Sequence, residues 1–140
     1  MPIKFKKADK TFILTTKNTA YAFSVECDRY VVHQYYGKKT AAFKRYEPYV
    51  VSFSPYLKEA GNGWSPDIFP QEYSFFGSGD FRTAALKLKG ADGTGVTDFV
   101  YRSYRYINGT HEIEGLPQAR GDENTKTLEI RMADTLTGCE

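Results

Sequence analysis

Hydrophobic and polar residues alternate with a period of two along much of the chain, a pattern typical of β-strands with one buried face. Three such runs occupy residues 11–16, 20–25 and 30–36. Cys27-Asp28-Arg29 separates the last two runs and predicts a β-hairpin with Asp28 in the turn. No segment shows sustained helical periodicity, so the pattern predicts an all-β fold.

The alternation resumes after residue 82 and predicts four more strands, at residues 84–89, 97–106, 110–116 and 127–132. The aromatic residues of the 97–106 strand change face halfway, which predicts a β-bulge near Arg102-Ser103. Asn108-Gly109 is a strong hairpin-turn signal. These elements together predict a twisted, mostly antiparallel sheet assembly with one large loop.

Residues 38–82 interrupt the alternation. They contain Pro48, Pro55, Pro66 and Pro70, several glycines, and Trp64, the single tryptophan of the sequence. Because proline cannot donate to a β-ladder and glycine permits positive φ, we predict a long irregular excursion. A connection of this length in a compact domain is usually functional or disordered, and the aromatic content of this one argues against disorder.

Composition narrows the possible partners. The chain has 140 residues, which fits one domain, and its 19 Lys+Arg nearly balance its 17 Asp+Glu. That balance provides no field that would favour nucleic acid or an anionic membrane as a partner. No apolar run has the length of a membrane span, and the first residues lack the apolar core of a signal peptide. Cys27 and Cys139 form neither a disulfide framework nor a metal-binding spacing, so we expect free thiols, a cytoplasmic location and no metal or cofactor.

Motifs for catalysis are absent from the sequence, including the phosphate-binding, dinucleotide-binding, zinc-protease and nucleophile-elbow patterns. Glycoside hydrolysis needs two carboxylates that face one bond. Asp67 with Glu72 or Asp80 is the best pair that the aromatic excursion offers, but nothing in its spacing identifies a hydrolytic dyad. We therefore assign no catalytic residue to this chain.

Sugar binding is better supported, because sugar sites combine aromatic faces with planar polar groups. Trp64, Asp67, Asp80 and Arg82 supply that mixture and are candidate sugar-binding residues. For Trp64 the alternative is a loop aromatic that fills its own core. For Asp80 and Arg82 the alternative is a structural network that holds the loop to the sheet, a role suited to the planar guanidinium.

Short motifs extend this interpretation along nearly the whole chain. They are Thr16-Lys17-Asn18-Thr19-Ala20-Tyr21, Val32-His33-Gln34-Tyr35-Tyr36-Gly37, Phe53-Ser54-Pro55, Pro70-Gln71-Glu72-Tyr73, Gly77-Ser78-Gly79-Asp80-Phe81-Arg82, Thr97-Asp98-Phe99, Gly115-Leu116-Pro117 and Thr127-Leu128-Glu129-Ile130. In this order and spacing they resemble the N-terminal region of bacterial-type α-galactosidases of glycoside hydrolase family 36. One family feature is missing: residues 49–52 contain no acid where members often carry one shortly before Phe-Ser-Pro.

The resemblance implies a specific architecture and activity. It implies that residues 1–140 form an antiparallel β-sandwich, which is part of an N-terminal β-supersandwich of the galactose-mutarotase type that continues past residue 140. The partner would be a catalytic (β/α)₈ barrel of the same polypeptide, whose aspartates hydrolyse terminal α-galactosides such as raffinose and melibiose with retention. The present chain would be non-catalytic and would contribute to homo-oligomer assembly and to the galactoside entrance. The candidate substrate-entrance residues are then Trp64, Asp67, Asp80 and Arg82. A stand-alone carbohydrate-binding module and a purely structural or oligomerisation domain are the alternatives.

Overall fold

A computed structural model of the protein describes residues 2–46, 66–77, 82–118 and 120–140. Its six strands are β1 (Ile3–Lys6), β2 (Thr11–Thr15), β3 (Thr19–Glu26), β4 (Tyr30–Lys38), β5 (Phe99–Asn108) and β6 (Lys126–Asp134). Two short 3-10 helices, Lys7–Asp9 and Pro66–Ile68, accompany them, and the described residues contain no α-helix. The predicted all-β fold is confirmed.

Strands β1 to β4 form an antiparallel sheet in chain order. The predicted hairpin between β3 and β4 is confirmed: Cys27 and Asp28 have φ of 53° and 56°, and the Arg29 amide donates to the Glu26 carbonyl at 2.9 Å. Two successive residues with positive φ give the turn a twist that matches its flanking strands. Further along the same strand pair, the register of β3 against β4 shifts between Ala22 and Phe23.

Strands β5 and β6 form a second antiparallel sheet. Its register shifts between Tyr101 and Ser103, which leaves Arg102 as the extra residue and confirms the predicted bulge. The bulge reverses the facing of the residues that follow, so Tyr104 points to the same interior as Phe5 and Phe12 of the first sheet.

Two predicted strands are wrong. Residues 110–116 form no strand, because Asn108 pairs with Lys126 and the Gly109 amide donates to the Thr125 carbonyl, so residues 109–125 are one long connection. Ile113 and Leu116 of that stretch are exposed, so its alternation has no buried face. Residues 84–89 form only a single bridge, between Leu86 and Phe75. The alternation that predicted these two strands does not show whether a neighbouring strand is present to pair with them.

The main core lies between the two sheets. Phe12 is fully buried at the centre of this core. Its ring centroid lies 4.4 Å from that of Phe5, 5.1 Å from that of Phe23 and 5.0 Å from that of Tyr104. A second cluster forms on the opposite face of β4, where Tyr30 and Val32 pack with three phenylalanines from outside the first sheet. Those phenylalanines are Phe69, Phe75 and Phe99.

Polar contacts join the β3–β4 turn to the second sheet. The Tyr101 amide donates to the Arg29 carbonyl at 2.7 Å, and the Arg29 guanidinium lies 2.5 Å from the Asp98 carboxylate. Asp98 also accepts a bond from the Thr135 hydroxyl. These contacts fix the orientation of the two sheets relative to each other at one end.

Candidate functional site

The segment after the 3-10 helix Pro66–Ile68 continues the first sheet beyond β4. The His33 amide donates to the Pro70 carbonyl at 2.8 Å, and the Glu72 amide donates to the Val31 carbonyl at 3.0 Å. Residues 70–72 therefore form a short antiparallel addition at the β4 edge, centred on the Val32–Gln71 bridge. This pairing brings part of the irregular excursion to a defined position on the sheet.

A polar cluster of Tyr21, His33 and Glu72 lies where that addition meets the sheet. His33 Nδ1 is 2.7 Å from Glu72 Oε1, and the Tyr21 and His33 rings are 5.8 Å apart. Burial, followed by the hydrogen bond and negative charge of Glu72, raises the pKa of the Tyr21 hydroxyl above its usual value. Tyr36 packs edge-on against Tyr21 and is 71% exposed.

This cluster is suited to holding its three side chains in fixed positions rather than to reacting with a substrate. Its carboxylate accepts hydrogen bonds from two neighbours, and its tyrosine stays protonated well above neutral pH. The exposed Tyr36 ring beside these polar groups has the aromatic and polar combination of a sugar-contact surface. No local sequence pattern links His33 to Glu72, because the fold alone brings Glu72 to it from 39 positions away.

The structure describes two of the four predicted entrance residues. Trp64 and Asp80 lie outside the described residues. Asp67 is half-buried in the 3-10 helix, and the Arg82 guanidinium donates to the Phe69 carbonyl at 2.5 Å, just after that helix. The Arg82 contact is of the structural kind considered for this residue, and the entrance role of all four stays a prediction.

A second polar group, which the sequence pattern did not reveal, is buried on the other face of β3 and β4. The Glu26 carboxylate is buried and accepts hydrogen bonds from the Ser24 hydroxyl and the Arg45 guanidinium. Gln34 donates to the Ser24 hydroxyl at 2.7 Å and accepts from the Tyr46 amide at 2.6 Å. Ser24 and Glu26 alternate with Phe23 and Val25, so the pattern alone places them towards solvent.

An apolar cleft of about 670 Å³ opens between the two sheets. Its walls include Phe23 and Val31 of the first sheet, Ile130 and Met132 of the second, and Leu86 from the segment between them. Glu72 lies on its lining beside these apolar side chains. The cleft is a gap in the hydrophobic core rather than a polar catalytic pocket.

The described residues contain no group of three or more His, Cys, Asp or Glu side chains that could hold a metal ion, and none of their helices is long and apolar enough to cross a membrane. Cys27 and Cys139 are both unpaired thiols.

Comparison with known proteins identifies relatives along the whole chain. The bifunctional alpha-galactosidase/sucrose kinase AgaSK of Mediterraneibacter gnavus is 36% identical over 96% of this chain and 15% of its own length. Alpha-galactosidase AgaA of Geobacillus stearothermophilus is 30% identical over 100% of this chain and 20% of its own length. This chain therefore spans less than a quarter of these relatives.

Solved structures give the same result for the fold. The GH36 alpha-galactosidase AgaB from Geobacillus stearothermophilus superposes with a TM-score of 0.83 at 30% identity, over 97% of this chain and 19% of that chain. The galactosidase domain of AgaSK superposes with a TM-score of 0.82 at 35% identity, over 96% of this chain and 19% of that chain. The family model for the glycosyl hydrolase family 36 N-terminal domain matches residues 29–140. The chain thus belongs to the N-terminal domain family of glycosyl hydrolase family 36.

Proposed function

We propose that this chain is the non-catalytic N-terminal portion of a retaining α-galactosidase. A barrel domain of the same polypeptide then hydrolyses terminal α-galactosides such as raffinose and melibiose. The observation that carries the proposal is the match of residues 29–140 to the family's N-terminal domain, with relatives that are themselves alpha-galactosidases. The polar clusters around Glu72 and Glu26 hold described segments of the chain in place, which agrees with a non-catalytic role.

Galactose release from raffinose tests this proposal. We expect activity from the full-length polypeptide that contains this chain and none from residues 1–140 alone. Sucrose is the control substrate, because it lacks the α-galactosyl group. Hydrolysis of raffinose by residues 1–140 would contradict the non-catalytic role, and an inactive full-length polypeptide would contradict the galactosidase assignment.

We assign Trp64, Asp67, Asp80 and Arg82 to the substrate entrance of that enzyme. The support is their position within the excursion of residues 38–82, whose described parts contact the sheet at residues 45–46 and 70–72. Trp64→Ala and Asp67→Ala should raise KM for raffinose with little change in kcat, because entrance contacts act on substrate binding. Unchanged kinetics in both variants would favour a purely structural domain.

A stand-alone carbohydrate-binding module is the second candidate. The exposed Tyr36 ring beside the Tyr21–His33–Glu72 cluster favours it, since sugars stack on such rings. Titration of residues 1–140 with an α-galactoside, followed by Trp64 fluorescence and by calorimetry, is the test. No response at millimolar sugar would reject the module.

We further propose that additional β-structure of the same polypeptide closes the apolar cleft. Two observations support this occupant. Among the described residues β6 pairs only with β5, which leaves its outer edge beside the cleft, and the chain spans only 15–20% of its curated relatives. An added strand on β6 would satisfy that edge and cover Ile130 and Met132 together.

Homo-oligomer assembly and a cytoplasmic location complete the proposal. The two unpaired thiols agree with a reducing compartment. Analytical ultracentrifugation of the full-length polypeptide tests the first point. Cell fractionation with an antibody against residues 1–140 tests the second.

A further inference from the structure

We propose that the polypeptide turns back after β6 and that the segment following Glu140 pairs antiparallel with the outer edge of β6, where it closes the apolar cleft. This inference rests on the proposed function, in which more polypeptide follows residue 140, and it names the segment that covers the cleft. Its basis is a turn at residues 135–138, which is formed within the described part of the chain.

The turn has the hydrogen bonds of a β-hairpin loop of four residues. The Asp134 amide donates to the Cys139 carbonyl at 2.7 Å, and the Gly138 amide donates to the Asp134 carbonyl at 2.9 Å. Gly138 has φ 75°, a left-handed conformation that glycine adopts without steric cost. The first cross-strand bond of a hairpin is therefore in place, between the last residue of β6 and Cys139.

The buried Asp134 side chain holds this turn in its shape. Asp134 is 1% exposed, and its carboxylate accepts bonds from the Thr137 amide at 3.0 Å, the Thr137 hydroxyl at 2.5 Å and the Asp98 amide at 2.6 Å. An aspartate that binds backbone groups just ahead of it is typical of tight turns. Because Asp98 directly precedes β5, the same carboxylate fixes the turn to the second sheet and so defines its direction.

The outer edge of β6 has backbone donors for the returning segment. The Asp134 amide points away from β5, towards Cys139. Amides two residues apart along a strand point to the same side, so those of Leu128, Ile130 and Met132 also point to the outer edge. Among the described residues β6 pairs with β5 alone, and a continued hairpin would supply the partners of these three donors.

The hairpin also determines which side chains of the segment face the cleft. Cys139 lines the cleft together with Ile130 and Met132. Glu140 lies at the rim, and its carboxylate points outward, 3.9 Å from the guanidinium of Arg131, a side chain that is 56% exposed. Since side chains alternate along a strand, the first, third and fifth positions after Glu140 face the cleft and should be apolar, whereas the second and fourth should be polar.

Engineered cysteines in the full-length polypeptide, in a Cys139→Ser background, test the register. Continuing the Asp134–Cys139 pairing places Arg131 opposite the second position after Glu140, in a pair whose Cα atoms are about 4.5 Å apart. That distance allows a disulfide, so Arg131→Cys with a cysteine at the second position should cross-link in mild oxidant. The matched control moves the second cysteine to the first position after Glu140. It should give roughly tenfold less cross-link, because its Cβ points to the opposite face.

Hydrogen exchange read residue by residue in the full-length polypeptide tests the turn. The three outward amides of β6 should be protected like the inward amide of Glu129. Gly138→Ala should speed their exchange on the order of 5- to 30-fold, because alanine is strained at positive φ. Gly115→Ala is the matched control, since Gly115 has φ 78° and, like Gly138, has no atom within 4 Å of an added Cβ. It should change exchange in β6 by less than about twofold.

Three results would overturn the inference. The first is a cross-link in the control pair that equals or exceeds that of the test pair. The second is fast exchange of the three outward amides in the wild type, as in an uncovered edge. The third is protection that does not respond to Gly138→Ala, which would show that another segment covers β6. None of these readouts uses activity. A polypeptide that cross-links as expected without hydrolysing raffinose refutes the proposed function alone, and an active enzyme with an uncovered β6 edge refutes the hairpin alone.

Discussion

Replacing Phe12 by alanine tests whether the two sheets share one core. Phe12 has 0% exposure, stacks on Phe5 and Phe23 within the first sheet, and meets Tyr104 of the second sheet edge-on. Phe→Ala at a fully buried site costs about 3–5 kcal/mol of unfolding free energy, which includes the cavity left behind. The lost ring pairs place this site towards the upper end, since each aromatic pair contributes about 0.5–1.5 kcal/mol beyond its area.

Urea unfolding followed by far-UV circular dichroism measures the effect. The midpoint should fall at an unchanged denaturant slope, which would report a change in stability alone. Phe76→Ala is the matched control, because Phe76 is 53% exposed and a surface truncation should cost less than about 0.5 kcal/mol. A Phe12→Ala loss no larger than that of Phe76→Ala would refute the shared core, whereas a loss in Tyr104→Ala of similar size would support it.

Three further predictions concern Asp134, Gly77 and the apolar cleft. Burial raises the pKa of Asp134, but bonds donated by the Thr137 side chain and by the backbone amides of Asp98, Leu136 and Thr137 outweigh it and leave that pKa below its usual range. Asp134 should therefore stabilise the folded state above the ordinary carboxyl pKa of about 3.9, and this stabilisation should be lost as the pH falls through the lower pKa of the folded state. Asp134→Asn should flatten that part of an acid-unfolding curve. Gly77→Ala should cost more than about 1 kcal/mol in urea unfolding, because Gly77 has φ 144° and a Cβ there would lie 2.4 Å from the Thr97 carbonyl oxygen, whereas Gly95→Ala should be tolerated. Residues 1–140 alone should bind an apolar dye at the open cleft and associate with rising concentration in sedimentation, and a monomer without dye binding would contradict an uncovered apolar face.

The parts of the fold that could be predicted are those in which one short signal has one physical solution. The change of aromatic facing around Arg102 required a bulge, and the bulge is there. Asp28 between two alternating runs required a tight turn, and both Cys27 and Asp28 adopt positive φ. Such local rules depend on the backbone itself and not on distant partners.

The parts that failed depend on partners that periodicity does not name. Residues 110–116 alternate like a strand, but β5 pairs with β6 instead and leaves them in a connection. Glu26 follows the solvent-facing parity of β3, but it is buried and its carboxylate accepts a hydrogen bond from Arg45, which lies outside the sheet. The His33–Glu72 contact likewise requires the β4 edge to pair with residues 70–72, which no local pattern contains.

The meander of β1 to β4 also has a consequence for the order of folding. Among the described residues its four strands pair in chain order and end at Lys38, with residues 70–72 added later at the β4 edge, whereas the Arg29–Asp98 contact joins residues 69 positions apart. Local pairings form quickly and distant ones slowly, and an emerging chain supplies its N-terminal part first. The first sheet can therefore assemble on the ribosome before Tyr104 has emerged to cover the aromatic face around Phe12. During that interval the apolar face of the first sheet is uncovered, so we expect the nascent chain to be most prone to aggregation, and to bind chaperones, until β5 has emerged.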